Sequence, residues 1–136
     1  MIYGLKIKDK TIIEQMASIK RNYINFTTSV ERNTLCIKGE LQPTSRSDVY
    51  TVQIIYHFRK RPIIKILNPV LIKNFKGEDI PHTYPGDTLC LYQPKYNEFK
   101  FSDLLSSTIV PWTSLWLYHY EVWHITGSWH GGGEHP

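Results

Sequence analysis

The longest alternation of apolar and polar residues runs from Val49 to Phe58, and it limits the folds open to this chain more than any other feature. One side of the run is apolar or aromatic throughout: Tyr50, Val52, Ile54, Tyr56 and Phe58. A period of two is typical of a β-strand with one buried face. A second alternation, from Thr34 to Gln42, predicts a neighbouring strand. The chain is therefore expected to contain a sheet that is covered on at least one face.

Two further strands complete the predicted sheet. Ile24–Val30 is rich in Thr, Phe and Val, and Ile63–Leu67 is a short apolar run. Parallel neighbours need long crossover connections, whereas the connections between these four segments are short. The four strands are therefore predicted to form an antiparallel meander.

A helix is predicted before the sheet, from about Lys10 to Arg21. It begins with a capping box, in which Thr11 is followed three residues later by Glu14. Apolar residues then recur at helical spacing on one face: Ile12, Ile13, Met16, Ile19 and Tyr23. The opposite face is predicted to be polar: Glu14, Ser18 and Lys20. We expect the apolar face to pack on the sheet.

A second helix is predicted between Pro111 and Gly127, because proline suits the first turn of a helix and glycine suits its end. Its predicted core face contains mainly aromatic residues: Trp112, Leu115, Trp116, His119, Val122 and Trp123. The predicted fold class is therefore α+β, with a helix, a four-strand antiparallel meander, an irregular stretch and a C-terminal helix.

Length and composition predict a single domain over residues 1–136, with a core from about 10 to 126 and a glycine-rich tail from 127 to 136. The chain has 136 residues and a formal net charge of +4. Its basic residues are scattered, unlike the stripe of a nucleic-acid-binding face, although the cluster Arg59–Arg61 suits an acidic protein partner. No apolar run is long enough for a membrane span, and the start lacks a signal peptide. A cytoplasmic protein with reduced cysteines is expected.

The segment Pro81–Leu91 carries the candidate chemistry. Pro85 and Gly86 predict a tight turn of type II, and Cys90 follows that turn. A loop of this kind can fold His82 against Cys90, where a histidine favours the thiolate or donates a hydrogen bond to an oxyanion. We therefore hypothesise that Cys90 is a nucleophile that carries an acyl group as a thioester.

Each of these residues also has a structural interpretation. Cys90, between two leucines, is alternatively a small apolar residue of a buried strand. Cys36, on the polar side of its strand, is expected to be an unremarkable small residue of the sheet. His82 is alternatively a loop histidine bonded to the backbone. Asp87 either orients or deprotonates an attacking amine, or only caps the turn.

The predicted order of elements resembles the ubiquitin-conjugating enzyme (UBC-like) fold. Gly86–Leu91 resembles the Gly-x-Ile-Cys-Leu context of that family's catalytic cysteine with one residue inserted, and Arg59–Pro62 resembles its proline-bearing turn between the third and fourth strands. Counting back from Cys90, His82 falls on the position of the family's Asn. The resemblance implies that His82 takes over the role of the Asn, and that the last two helices of the eukaryotic enzymes are missing.

The C-terminal segments Trp116–Trp123 and Thr126–His135 are similar to bacterial conjugating-enzyme-like proteins of CBASS antiphage operons. These proteins accompany cGAS-like nucleotidyltransferases. The resemblance implies that Cys90 forms a thioester with the C-terminal glycine of the cyclase and so primes cyclic-nucleotide signalling. A ubiquitin-like protein is the other acyl donor that it implies, and no cofactor is expected.

Two other functions stay open. Four residues near the tail, His124, His130, Glu134 and His135, have side chains that bind zinc, but their spacing fits no catalytic metal motif. A UBC-like domain whose cysteine is inert would instead serve as a protein-binding scaffold, with the glycine-rich tail and the aromatic helix as its docking surface.

Overall fold

The alternating segments form a four-stranded antiparallel sheet in the order β1-β2-β3-β4, as predicted. The computed structural model describes residues 7–91 and 98–131. The strands are β1 (Thr27–Glu31), β2 (Thr34–Leu41), β3 (Tyr50–His57) and β4 (Ile63–Asn68). Along β3 buried and more exposed residues alternate, and the register places Ile54 between Ile37 of β2 and Ile64 of β4. The apolar face that alternation predicted is thus the face that lines the core.

The first helix, α1 (Ile12–Asn22), begins with the predicted capping box, in which Thr11 and Glu14 each bond the backbone of the other. The prediction of its buried face was partly wrong. Gln15 and Ser18 are buried, whereas Ile13 is 60 % exposed. Ser18 was placed on the polar side because its neighbour in the fold, a short 3₁₀ turn at Leu105–Ser107, was not foreseen.

That 3₁₀ turn is held to α1 by polar contacts. The Gln15 amide donates to the Asp103 carbonyl at 2.8 Å and accepts from the Leu105 N–H at 2.9 Å. The hydroxyl groups of Ser18 and Ser106 lie 2.6 Å apart. These partners lie 88 to 90 residues away in sequence, so no local pattern could have indicated them.

The C-terminal helix, α2 (Ile109–Thr126), begins two residues before Pro111 and ends at Gly127, as predicted. Gly127 has a φ of 79°, the left-handed conformation common at the ends of helices. Its buried residues are Ile109, Val110, Thr113, Trp116, Leu117, Tyr120 and Trp123. Leu115, which was predicted to face the core, is 54 % exposed. Because α2 carries apolar side chains on every side, its periodicity does not fix its orientation.

The remaining regular structure is a small hairpin of β5 (Thr83–Tyr84) and β6 (Thr88–Leu89). It follows the predicted irregular stretch after β4. No helix among residues 7–91 and 98–131 combines the length and apolar character that a membrane crossing requires.

Candidate functional site

The β5–β6 hairpin presents the segment that the sequence singled out. The Asp87 N–H donates to the Tyr84 carbonyl at 3.1 Å, which closes the turn over Pro85 and Gly86. Gly86 has a φ of 87°, the positive value that the third residue of a type II turn needs. The predicted turn is therefore confirmed, and it fixes the register that follows.

That register brings His82 and Cys90 together. Thr83 pairs with Leu89 and Tyr84 with Thr88, so His82 and Cys90 are the next residues outward along the hairpin. The Cys90 N–H donates to the His82 carbonyl at 2.9 Å. His82 has a φ of 53°, a left-handed conformation that is uncommon for residues other than glycine and is concentrated at functional sites.

The His82 carbonyl also bonds α2. The indole N–H of Trp116 donates to it at 3.1 Å, so a single oxygen accepts from both the hairpin and the helix. The imidazole of His82 lies against the ring of Trp129, with ring centres 5.1 Å apart, and Trp129 in turn packs on Trp116 at 5.2 Å. His82 is therefore buried beneath the residues that follow α2.

Cys90 lies close to the core. Only 8 % of its surface is exposed, and its neighbour Leu89 belongs to the core cluster. An acyl carrier needs one open side through which a protein tail can reach the sulfur. In this structure only a small part of Cys90 is open to solvent, and the next residues, 92–97, lie outside the described part of the chain.

Asp87 is exposed at the end of the hairpin, with a φ of 61°. Aspartate tolerates this left-handed conformation better than most residues, so the residue suits the turn in which it lies. It is separated from Cys90 by β6. Its backbone role in the turn is visible, and its predicted action on an attacking amine stays a prediction.

Tyr84 is a candidate site residue that the sequence analysis missed. By the register of the hairpin, its side chain lies on the same face as those of His82 and Cys90, which places its hydroxyl where it can hydrogen-bond the Cys90 sulfur. Burial, followed by that hydrogen bond and the charge of the cysteine, raises the pKa of the Tyr84 phenol, and Arg61 opposes the rise. The guanidinium carbon of Arg61 lies 4.0 Å from the centre of the tyrosine ring.

Two other predictions concern residues away from the hairpin. Cys36 is half-buried in β2, where the Gln53 amide approaches its sulfur at 3.9 Å, which agrees with a structural role. Within the described ranges, no three His, Cys, Asp or Glu side chains are grouped so that they could hold a metal ion. Glu134 and His135 of the zinc alternative lie outside the described residues.

A comparison with known proteins assigns the chain to a family. A family model described as type II CBASS E2 protein matches residues 15–136, which include most of α1, the sheet, the hairpin and α2. No curated protein matches the chain.

Proposed function

The chain belongs to the type II CBASS E2 protein family, and from this membership we propose that it is a conjugating enzyme whose Cys90 carries a partner protein as a thioester. The acyl group in this proposal is the C-terminal glycine of a cGAS-like nucleotidyltransferase. The cytoplasm is the expected compartment, and attachment of the cyclase is the step that primes antiviral cyclic-nucleotide signalling.

The observation that carries the proposal is the position of Cys90 in the hairpin. Cys90 follows a tight turn, its N–H donates to the His82 carbonyl, and the Tyr84 side chain lies on the same face of the hairpin as its own. Cysteine is the side chain suited to accept an acyl group by exchange and to release it to an amine. A fixed donor beside the sulfur is what such a reaction needs when charge develops there.

The proposed chemistry has two steps. Because a thioester is less stable than a free carboxylate, the glycine must arrive activated, as an acyl adenylate or as the thioester of another protein. The Cys90 thiolate attacks the glycine carbonyl carbon, and AMP or the donor thiolate leaves. A lysine amine then attacks the new thioester, an amide forms, and the Cys90 thiolate is expelled while the amine releases its proton. His82 and Asp87 are the proposed assistants, at the oxyanion and at the amine respectively.

The test is co-expression with a cGAS-like nucleotidyltransferase and with an ATP-dependent adenylating protein that activates its C-terminal glycine, followed by intact-mass analysis under non-reducing conditions. We expect an adduct with the summed mass of both chains less a water molecule, which hydroxylamine cleaves. Cys90→Ala should abolish this adduct, and Cys36→Ala, the matched control, should retain it. An adduct that survives Cys90→Ala would falsify the assignment of the nucleophile. Repeating the experiment with a ubiquitin-like protein identifies the acyl donor.

A binding scaffold is the second candidate, and the low exposure of Cys90 favours it. Under this alternative the domain holds the cyclase without a covalent bond. A complex of equal affinity with wild-type protein and with Cys90→Ala, together with no adduct in either when the activating protein is present, would establish the scaffold and exclude the transferase.

A further inference from the structure

We propose that Tyr84 is a catalytic residue of this site, because its hydroxyl donates a hydrogen bond that stabilises negative charge on the Cys90 sulfur. Arg61, which lies over the tyrosine ring, makes that hydroxyl a stronger donor. The inference rests on the proposed function, because it assigns a role to Tyr84 in the same acyl transfer. It concerns a residue outside the motif through which the chain resembles conjugating enzymes.

The hairpin geometry brings the two side chains together. In an antiparallel pair, residues that are directly opposite share a face, and so do residues two positions along. Tyr84 is opposite Thr88, so Cys90 is its diagonal neighbour on that face. Diagonal neighbours lie about 7–8 Å apart at their backbones, a span that an aromatic side chain bridges. The tyrosine hydroxyl therefore reaches the sulfur because of the register that the turn imposes.

Arg61 makes the Tyr84 hydroxyl a stronger hydrogen-bond donor than the hairpin alone would. The guanidinium carbon lies 4.0 Å from the ring centre, within the range of a cation–π contact. A cation over the ring draws electron density from the phenol, and its charge lowers the pKa of the Tyr84 hydroxyl against the rise that burial causes. A more acidic hydroxyl is a stronger donor to a thiolate.

The role requires no proton transfer from Tyr84. Its hydroxyl keeps its proton throughout, and burial, which raises the phenol pKa, favours that neutral form. The hydrogen bond supports the thiolate before it attacks and supports it again when it is the leaving group in the attack by the amine. Arg61 lies over the tyrosine ring, and the backbone carbonyl of His82 accepts from the Cys90 N–H.

The experiment measures alkylation of Cys90 by iodoacetamide as a function of pH, in a Cys36→Ala background in which Cys90 is the single thiol. Tyr84→Phe removes only the hydroxyl. Because a hydrogen bond to a charged group is lost, we expect alkylation near neutral pH to slow about tenfold and its pH–rate profile to move upward by about one pH unit. Arg61→Met should slow the reaction by about threefold, in line with a cation–π contact. Tyr118→Phe, a change of an exposed tyrosine on α2, is the matched control and should leave the profile unchanged.

The outcomes separate the two proposals. If the Tyr84→Phe profile coincides with that of the Cys36→Ala parent, while circular dichroism shows a native fold, the role of Tyr84 is wrong whatever the adduct experiment gives. If the profile moves as expected but no partner forms an adduct with wild-type protein, the transferase function fails and the donor–sulfur contact stands. A shifted profile together with slower adduct formation supports both proposals.

Discussion

His82 shows at the scale of a single residue which parts of this site the sequence could predict. Its nearness to Cys90 follows from Pro85 and Gly86, because a turn fixes the register of the residues on either side of it. The bond from Trp116 to its carbonyl could not be predicted, because that donor comes from a helix 34 residues away. The contact between Arg61 and Tyr84 was missed for the same reason, since the two residues meet only in the folded chain. The diagonal relation of Tyr84 to Cys90, in contrast, follows from the local turn.

Gly86→Ala tests whether the turn controls the reactivity of Cys90. A methyl group at Gly86 meets no atom within 4 Å, so the cost is the strain of alanine at a φ of 87°, about 1–2 kcal/mol of unfolding free energy. We expect the relaxed turn to change the rate of Cys90 alkylation. Gly77→Ala is a matched control, because Gly77 has a φ of 74° and equally open surroundings outside the hairpin. Equal alkylation rates in both variants would contradict a role for the turn.

At the scale of the element, α1 differs from the prediction because polar contacts determine its orientation. Apolar spacing placed Ile13 inward, but the hydrogen bonds from Gln15 and Ser18 turn a partly polar face towards the 3₁₀ turn. The strands were easier to predict, since a period of two leaves only two faces, and the core selects the apolar one.

Gln15→Met should therefore destabilise the protein more than its small change of volume indicates. It leaves the Asp103 carbonyl and the Leu105 N–H without their side-chain partner, at a cost of about 1–3 kcal/mol for each group. Urea unfolding monitored by circular dichroism measures the loss. Ile13→Gln, on the exposed face of the same helix, should change stability by less than about 0.5 kcal/mol. A Gln15→Met loss as small as this would contradict the bridging role.

The capping box makes the stability of α1 sensitive to acid. Hydrogen bonds from the Thr11 backbone and side chain lower the pKa of the Glu14 carboxyl below its ordinary value of 4.5. A lowered pKa in the folded state means that the contribution is present above pH 4.5 and is lost as the pH falls through the folded value. Glu14→Gln should therefore lower the unfolding free energy relative to wild type, and this loss should be larger at pH 6 than at pH 3. A difference that grows towards pH 3 would reverse the assigned sign.

At the scale of the whole molecule, buried tyrosines join the sheet, the hairpin and α2. Tyr50 of β3 donates to the Glu121 carboxylate of α2 at 2.8 Å, and the Tyr120 hydroxyl accepts from the Ile72 N–H at 3.0 Å. Burial is the main cause that raises the phenol pKa of each of five tyrosines: Tyr23, Tyr50, Tyr56, Tyr84 and Tyr120. The alternation in β3 predicted that Tyr50 and Tyr56 face the core, whereas the burial of Tyr120 was not predicted.

The folded protein should consequently be sensitive to alkali. Because these phenols have a higher pKa when folded, their contribution to stability is complete below their ordinary pKa of 10.0 and declines as the pH rises above it. Urea unfolding at pH 8 and pH 11 should show a loss that is smaller in Tyr50→Phe than in wild type. Tyr118→Phe, which changes an exposed tyrosine, is the control and should lose as much stability as wild type. An identical loss in all three proteins would contradict the role given to Tyr50.

Trp116 and Cys90 share the His82 carbonyl as acceptor, so the backbone of Cys90 and the C-terminal helix are coupled through one oxygen atom. A protein that binds the exposed side of α2 and displaces Trp116 would also displace the His82 carbonyl oxygen, which accepts the hydrogen bond from the Cys90 backbone. If Cys90 is the acyl carrier as proposed, a cyclase bound to α2 would change the position of Cys90 from a site remote from its sulfur, before the C-terminal tail of the cyclase arrives.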